Sequence, residues 1–384
     1  MNEDRIIASS QEIDLDPVKR LMSVLQDDDP VLMVGSGSSK IVGYPSWPEL
    51  IKELNELTPS LQLNEGEDLL CYAEKIKTQL KNQGKIEKYY EFLRNRFEPK
   101  EKYCDKFHQS LLKLNFSGIV TTNYDKVLEL AIFQSRCWCE SIDLCSPEDQ
   151  HKVLKFLRSI SKSQVRSPIL QNQVRSSDLQ NQARSSVLHI HGFFENPRKI
   201  ILTQSDYLSS YGEIKLDGSK MEHDQVLHTF HRKVIWSLLA THPLVFVGFS
   251  MSDKFFMKLL EIVKKDFDID YESIHFAILS DQDKERTSRI LKSSGVFPLF
   301  YPHSDDHRGL QDLIFKVEHL IEKNSTSIKN LEQDYKNKPL EEIGVNQTTT
   351  PITSEMSETE QSEHKFSQTE SLNLEEINRK MLGL

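Results

Sequence analysis

The stretch VLMVGSGSSKIVGYPSW, residues 31–47, indicates the fold more directly than any other part of the chain. It begins with a short β-branched apolar run that is typical of a buried strand. The next five residues are two glycines and three serines, a composition that lets backbone amides approach a phosphate closely. Ser46 and Glu49 have the spacing of a capping box, which predicts a helix to about Leu57. The stretch therefore predicts a strand, an anion-binding loop and a helix.

Outward from this stretch, apolar runs and helical periodicity alternate over most of the chain. Apolar segments predict strands at 31–35, 117–125, 138–144, 187–192, 199–203, 243–249, 274–279 and 296–301. Helical spacing predicts helices at 16–27, 126–134, 148–161, 223–241, 252–267, 284–294 and 309–323. Strands that alternate with helices and are apolar throughout indicate an α/β fold. The sequence thus predicts a Rossmann-like parallel sheet with helices on both faces.

Four segments lie outside this alternation. The first fifteen residues are polar and are predicted to be mobile, and three helices between 60 and 114 are predicted as an inserted helical subdomain. A nine-residue repeat (QVRSPILQN, QVRSSDLQN, QARSSVL) predicts a surface loop at 163–186. Residues 325–384 form a low-complexity tail that ends in an amphipathic segment, which either docks on a partner or folds back on its own domain. The main domain is accordingly predicted to span residues 16–324.

Composition excludes several classes of protein. Hydrophobic residues make up 38% and charged residues 28%, with no apolar run long enough to span a membrane and no signal-peptide pattern at the N-terminus, so we expect a cytoplasmic protein. The net charge of −10 argues against a general nucleic-acid binder. Five cysteines without any CxxC pair predict neither a disulfide framework nor a four-cysteine zinc site.

Three further motifs place polar residues after predicted strands: TTNYD (121–125), HIHG (189–192) and GFSMSD (248–253). Polar groups at the carboxyl ends of parallel strands point into the crevice where such sheets bind ligands. Two histidines that alternate on a strand face one side. Each motif alone also fits a helix cap or a core histidine. The first loop is not a P-loop, and Lys40 replaces the third glycine of GxGxxG, while GFSMS lacks the second glycine of a nucleophile elbow.

The order of the four motifs resembles the sirtuin-like family of NAD-consuming enzymes. There the pattern is approximately GAGxS-GIP, TQNxD, HG and GTS, and this chain has GSGSS-GYP, TTNYD, HG and GFS over about residues 30–300. The resemblance implies that Asn123 positions water or the ribose hydroxyls and that His191 is the general base, because the ordinary pKa of histidine lies near neutral pH. It implies that Asp125 binds the carboxamide or offsets positive charge.

The same resemblance implies a set of NAD-binding residues. The glycine-serine loop would lie under the pyrophosphate, the GYP segment beside the nicotinamide, and the GFS loop beside the adenosine half. The implied positions are Gly35, Ser36, Gly37, Ser38, Tyr44, Pro45, Trp47, Thr122, Gly248, Phe249 and Ser250.

Departures from the family pattern favour hydrolysis of NAD over protein deacylation. The two CxxC pairs of the deacetylase zinc ribbon are absent, no metal site is predicted, and no Val-x-Phe-Gly substrate strand follows Gly192. ILTQSDYLSSYG (201–212) and GFSMSD resemble the bacterial defence branch, whose members are NAD hydrolases (NADases) that act as anti-phage effectors. The alternatives are an NAD or ADP-ribose sensor without turnover, a protein deacylase, and a nuclease subunit, for which no acidic cluster with metal-ligand spacing exists.

Resemblance to the defence branch also implies control of the activity by a partner. The expected partner is a HerA-like DNA-translocating ATPase or an Argonaute-like protein acting in trans, and homo-oligomerisation is expected.

Overall fold

The computed structural model describes residues 16–99, 104–135, 137–160, 184–212, 229–267, 274–304 and 306–337. The first fifteen residues, most of the nonapeptide repeat and the terminal amphipathic segment lie outside these ranges. The strands are β1 Val31–Val34, β2 Gly118–Thr121, β3 Trp138–Asp143, β4 Arg184–His189, β5 Leu244–Val247, β6 His275–Ser280 and β7 Val296–Tyr301.

The described helices follow the predicted alternation. They are α1 Pro17–Asp27, α2 Ser36–Lys40, α3 Trp47–Asn55, α4 Leu69–Asn82, α5 Ile86–Phe97, α6 Lys106–Lys113, α7 Val127–Gln134, α8 Gln150–Ile160, α9 Gln204–Tyr211, α10 Phe230–Thr241, α11 Lys254–Asp266, α12 Lys284–Ser293 and α13 Arg308–Asn337. Helix α3 begins as its capping-box spacing predicts, because the Ser46 backbone N–H and hydroxyl both donate to the Glu49 carboxylate (2.7 and 2.6 Å). No helix in the described part of the chain combines the length and apolar character needed to cross a membrane.

The seven strands form one parallel sheet in the order β3-β4-β2-β1-β5-β6-β7. β1 pairs with β2 on one side and with β5 on the other, and all four of its residues are buried. The strands β2, β3 and β4 lie on one side of β1, and the later strands β5, β6 and β7 lie on the other side. β1 therefore lies at the topological switch point, where open α/β sheets bind ligands at the carboxyl ends of their strands. The predicted α/β fold is confirmed.

Alternate residues of β1 face two hydrophobic cores, one on each face of the sheet. Val31 and Met33 belong to a core that includes apolar residues of α8, α10 and α11. Leu32 and Val34 belong to a second core with residues of α1, α6, α7 and α13. Since both faces are covered, the central strands β1 and β5 are apolar throughout rather than alternating with polar residues.

A third hydrophobic core lies among the helices inserted between β1 and β2. It joins residues of α3, α4 and α5 to Tyr44 and to the segment around Phe193 and Leu202. Helix α6 was expected to lie outside the sheet with α4 and α5, but Phe107 and Leu111 place it in the core on the sheet face. The inserted helical layer therefore consists of α3–α5.

The segment KIILT (199–203) was predicted as a strand, and this prediction is wrong. It follows a 3₁₀ turn at Pro197–Lys199 and has no strand partner within the described residues. Ile201 N–H donates to the His191 carbonyl (3.0 Å), and Tyr124 Oη donates to the Ile201 carbonyl (2.7 Å). The apolar side chains divide between two cores, which explains the β-like composition.

Three element boundaries also differ from the prediction. β4 begins at Arg184, inside the third copy of the repeat, because it pairs with β3 along its whole length. It ends at His189, so strand alternation does not extend to His191. Helix α9 was not predicted, nor was α2, which forms where the glycine-serine segment was predicted as a loop. Helix α13 continues past 323 to Asn337. The helix predicted at 223–241 is described from Phe230 onward.

Candidate active site

The loops that follow β1 and β5 pack directly against each other. Gly35 N–H donates to the Val247 carbonyl (3.0 Å) and Gly37 N–H donates to the Gly248 carbonyl (2.9 Å). A Cβ atom on Gly35 would lie 2.5 Å from the Gly248 oxygen. Gly248 has a φ of +63°, and a Cβ atom there would overlap the backbone nitrogen of Ser38. The two glycine motifs therefore meet at the switch point, and their contact requires residues without a side chain.

Fewer polar groups of these loops are free to contact a phosphate than the motif suggests. The backbone N–H groups of Gly35, Gly37 and Ser38 all donate to protein carbonyls, so they are not available to a phosphate. Ser38 is buried, and its hydroxyl donates to the Gly35 carbonyl (2.8 Å). Ser36 is half-buried, while Gly37 and Ser250 are exposed. Of these residues, Ser36, Gly37 and Ser250 are the ones with accessible surface.

Asn123, in the turn after β2, is held through three of its four polar groups. Its backbone N–H donates to Thr121 Oγ1 (3.0 Å), and its carbonyl accepts from His189 Nδ1 (2.9 Å). Its Nδ2 donates to the Gly35 carbonyl (3.2 Å) and to Ser39 Oγ (3.0 Å). Because a carbonyl only accepts, these contacts fix the orientation of the amide. Oδ1 is buried and has no hydrogen-bond partner in the described part of the chain, so it is an open acceptor.

Asp125 is buried two residues further on. Its Oδ1 accepts from the Val127 backbone N–H (3.0 Å), so it stabilises the start of α7 as a capping residue would. The pKa of Asp125 is raised to about 6, chiefly by burial, while hydrogen bonds from Val127 and Ser39 oppose the rise and the nearby Glu129 carboxylate adds to it. Ser39 thus accepts from the Asn123 amide and donates to the Asp125 carboxylate. This serine connects two of the three predicted catalytic residues.

The two histidines of HIHG have different partners. His189 is completely buried, with Nε2 2.7 Å from Glu129 Oε1 and Nδ1 on the Asn123 carbonyl. His191 lies after the strand end, and its Nε2 is 2.7 Å from Tyr211 Oη. The expectation that both face one side is wrong, because β4 ends between them.

His191 lies in a buried cluster of aromatic rings. Its ring centroid is 5.3 Å from that of Tyr207, and it stacks on His231 at 6.5 Å. Burial lowers the pKa of His191 to about 4, although Asp253 raises it. The imidazole is therefore neutral near pH 7 and can accept a proton. In this state, however, its Nε2 is already hydrogen-bonded to Tyr211 Oη.

Helix α9 contains Tyr211 and contacts two other parts of the fold. Its Asp206 forms an ion pair with Lys77 of the inserted helix α4 (2.6 Å). Its Tyr207 donates to Asp253 (2.8 Å), which caps the start of α11 by accepting from two backbone N–H groups. The position of the Tyr211 hydroxyl over His191 thus depends on both the inserted helices and the β5 loop.

The other predicted binding residues are partly structural. Tyr44 is buried, stacks on Phe97 (centroids 6.0 Å apart) and belongs to the core of the inserted helices. Pro45 is buried, and Trp47 is half-buried at the start of α3 and packs against that core. Phe249 is buried against Phe246 and Phe256 in the sheet core, with ring centroids 5.4 and 5.6 Å away. Thr122 is half-buried at the carboxyl end of β2. Tyr44, Pro45 and Phe249 are therefore buried, whereas Trp47 and Thr122 keep partly exposed surface.

The lowered pKa of His191 predicts that the folded protein loses stability at acid pH. The histidine titrates at about 6.5 in the unfolded chain, so between that pH and its folded pKa the unfolded state binds the extra proton and stability declines as pH falls. We expect the difference in free energy of unfolding between the wild type and His191→Phe to shrink as pH falls through this window. Urea denaturation at several pH values measures it. A difference that does not vary with pH would contradict the prediction.

Part of the chain resembles a known protein family. Residues 117–299, from β2 to β7, match the family model described as a SIR2-like domain. This part of the chain is similar to SIR2-like domains. The first glycine loop precedes the matched residues, but its contacts with Asn123 and Gly248 join it to them.

The chain also aligns with a protein of Bacillus subtilis named Defense-associated sirtuin 2. Identity is 22% over 257 residues, which cover 65% of this chain and 20% of that protein. The chain therefore spans about a fifth of the length of this curated relative.

Several residues of the site were not identified from the sequence. Ser39 is the fifth residue of the GSGSS loop, and its motif position was a usable signal. Glu129, Tyr207, Tyr211 and Asp253 come from helix interiors and a helix cap, where their residue types are ordinary. Within the described residues, no group of three or more His, Cys, Asp or Glu side chains is arranged to hold a metal ion.

Proposed function

We propose that the chain is an NAD hydrolase that cleaves the nicotinamide–ribose bond and produces nicotinamide and ADP-ribose. The observation that carries the proposal is the open Oδ1 of Asn123, a buried acceptor fixed at the switch point, in the part of the chain that is similar to SIR2-like domains. A buried acceptor without a partner is costly, so its presence favours a donor supplied by a ligand. Water and a ribose hydroxyl both donate through O–H.

The residues of the site suit hydrolysis of an N-glycosidic bond. Asn123 Oδ1 orients the attacking water or the ribose hydroxyl beside it. As the water oxygen bonds to the ribose carbon, the bond to nicotinamide breaks and its electron pair stays on the pyridine nitrogen, which leaves as a neutral base. His191 is neutral and takes the proton that the water loses. The ionised form of Asp125 offsets positive charge that develops on the sugar.

The proposed binding mode follows the accessible groups of the site. Ser36, Gly37 and Ser250 would contact the phosphates and the adenosine half, while Thr122 and Asn123 would contact the ribose next to the nicotinamide. We assign Gly35, Ser38, Gly248, Phe249, Tyr44, Pro45 and Trp47 to the walls that hold these groups in place.

A role in anti-phage defence and control by a partner are part of the same proposal. The aligned relative is named as defence-associated, which supports an effector that depletes NAD. Unregulated NAD hydrolysis would harm the host cell, and in the described state Tyr211 holds the Nε2 of His191. We infer that activation requires a trigger, and a HerA-like ATPase, an Argonaute-like protein or self-association into an oligomer are the candidates that the resemblance suggests.

One observation favours a second function, an NAD or ADP-ribose sensor without turnover. The hydrogen bond to Tyr211 occupies the Nε2 of His191, the proposed general base. A site in this state could bind a nucleotide without cleaving it. A protein deacylase has no comparable support.

The test is nicotinamide release from NAD by the purified full chain, alone and with each candidate partner, with an acetylated peptide in a parallel reaction. We expect release without the peptide in at least one condition, and loss of release in His191→Ala. Bound NAD that is never cleaved would favour the sensor, and cleavage that depends on the peptide would favour the deacylase.

A further inference from the structure

Behind Asn123 lies a buried ion pair that the proposed reaction does not use directly. Glu129 of α7 and His189 at the end of β4 are 8% and 0% exposed, and Nε2 of the imidazole lies 2.7 Å from Glu129 Oε1. Ser141 donates to the same carboxylate oxygen (2.7 Å). Isolated pairs of this kind cost desolvation energy, so they contribute little to stability compared with apolar residues. Their presence next to the site needs another explanation.

The contacts of His189 fix its protonation state. The Asn123 carbonyl only accepts hydrogen bonds, and the ionised carboxylate of Glu129 also only accepts. Both ring nitrogens therefore donate, and the side chain is an imidazolium. Burial opposes this charge, but Glu129, the Asn123 carbonyl and Asp125 together raise the pKa of His189. Asp143, at the end of β3, is the other acidic group that faces it.

We propose that Glu129 and His189 are a positioning pair that holds Asn123 with its Oδ1 directed at the substrate. The charge-assisted bond from His189 fixes the backbone carbonyl, while Thr121 fixes the N–H and the Gly35 carbonyl and Ser39 fix Nδ2. Oδ1 is left as the single polar atom of the residue without a partner in the described chain. The proposal rests on the proposed hydrolase function and assigns a role that the four sequence motifs do not contain.

The test compares two variants of the full chain. Glu129→Gln/His189→Phe removes both charges together, which avoids leaving one buried charge unpaired. His275→Phe is the matched control, because His275 is also a buried histidine bonded to a main-chain group, Leu244 N–H (3.2 Å), but at the amino end of β6. Two quantities are measured: amide hydrogen exchange of the segment 121–125, and kcat and KM for nicotinamide release.

In the double variant we expect exchange in 121–125 to rise by about tenfold. We expect kcat to fall by about tenfold or more, as misplaced catalytic groups typically cause, with KM within about threefold of wild type. The His275 control leaves both quantities unchanged. If the double variant does not fold, Glu129→Gln alone is measured in the same way, with a smaller fall in kcat expected.

Unchanged exchange would overturn the proposal, and so would faster exchange with unchanged kcat, because the pair would then serve only the fold. If the wild type releases no nicotinamide with any partner, the hydrolase proposal fails. The exchange result still decides whether the pair holds Asn123, so the two failures are distinguishable.

Discussion

Asn123→Ala is expected to reduce nicotinamide release by about 10²- to 10⁴-fold, as loss of an orienting group in a polar reaction does. The variant loses Oδ1, which is the open acceptor, and the two donor bonds that tie the amide to the Gly35 carbonyl and Ser39. We expect the free energy of unfolding to fall by only about 1–3 kcal/mol, because one buried amide side chain is removed. Steady-state rates and urea denaturation measure the two effects.

Asn55→Ala provides the matched control for this prediction. Asn55 ends α3, and its side chain accepts from Tyr72 Oη (2.8 Å) and Thr58 Oγ1 (3.3 Å) in the inserted helical layer, away from the strand ends. Its loss should reduce stability by a similar amount and leave the rate of nicotinamide release unchanged. If both variants lose the same fraction of activity, Asn123 acts through stability and not through the reaction.

Gly248→Ala is expected to lose both stability and NAD binding. The new Cβ would overlap the backbone of Ser38 and approach the Gly35 oxygen at 3.2 Å, and the residue has a φ of +63°. Because the opposing atoms belong to the backbone, no side-chain rotation relieves the clash, and the two loops must separate. We expect about 2–4 kcal/mol of destabilisation and about 100-fold weaker NAD binding, since the loops no longer align. Urea denaturation and calorimetric titration with NAD measure these changes.

Gly66→Ala is the control that separates steric crowding at Gly248 from the strain of its left-handed backbone conformation. Gly66 has a comparable φ of +76°, but a Cβ atom there would have no neighbour within 4 Å. This control should cost about 1–2 kcal/mol from the left-handed conformation alone and leave NAD affinity unchanged. Equal losses of affinity in the two variants would show that the contact between the glycine loops does not shape the binding site.

Local sequence was sufficient to predict the strands next to the site, because apolar β-branched runs specify their own structure. The segment KIILT has the same local composition as a strand and does not form one, since its side chains are divided between two cores built by distant elements. Composition cannot reveal that division.

The hydrogen-bond partners of the site residues also could not be predicted from local sequence. His191 and Tyr211 are 20 residues apart and meet through α9, a helix that the sequence did not predict. Glu129 and His189 are 60 residues apart and meet because β4 pairs with β2 and α7 packs beside it. The contact between Glu129 and His189 depends on the order of strands in the sheet, which motifs do not encode.

The decisive measurement is the mass balance of NAD incubated with the purified full chain, alone and with each candidate trigger. The proposed chemistry requires that nicotinamide and ADP-ribose appear in equal amounts as NAD disappears, and that Asn123→Ala returns the NAD intact. NAD recovered unchanged from the wild type under every condition, or cleaved equally well by Asn123→Ala, would contradict hydrolysis at this site.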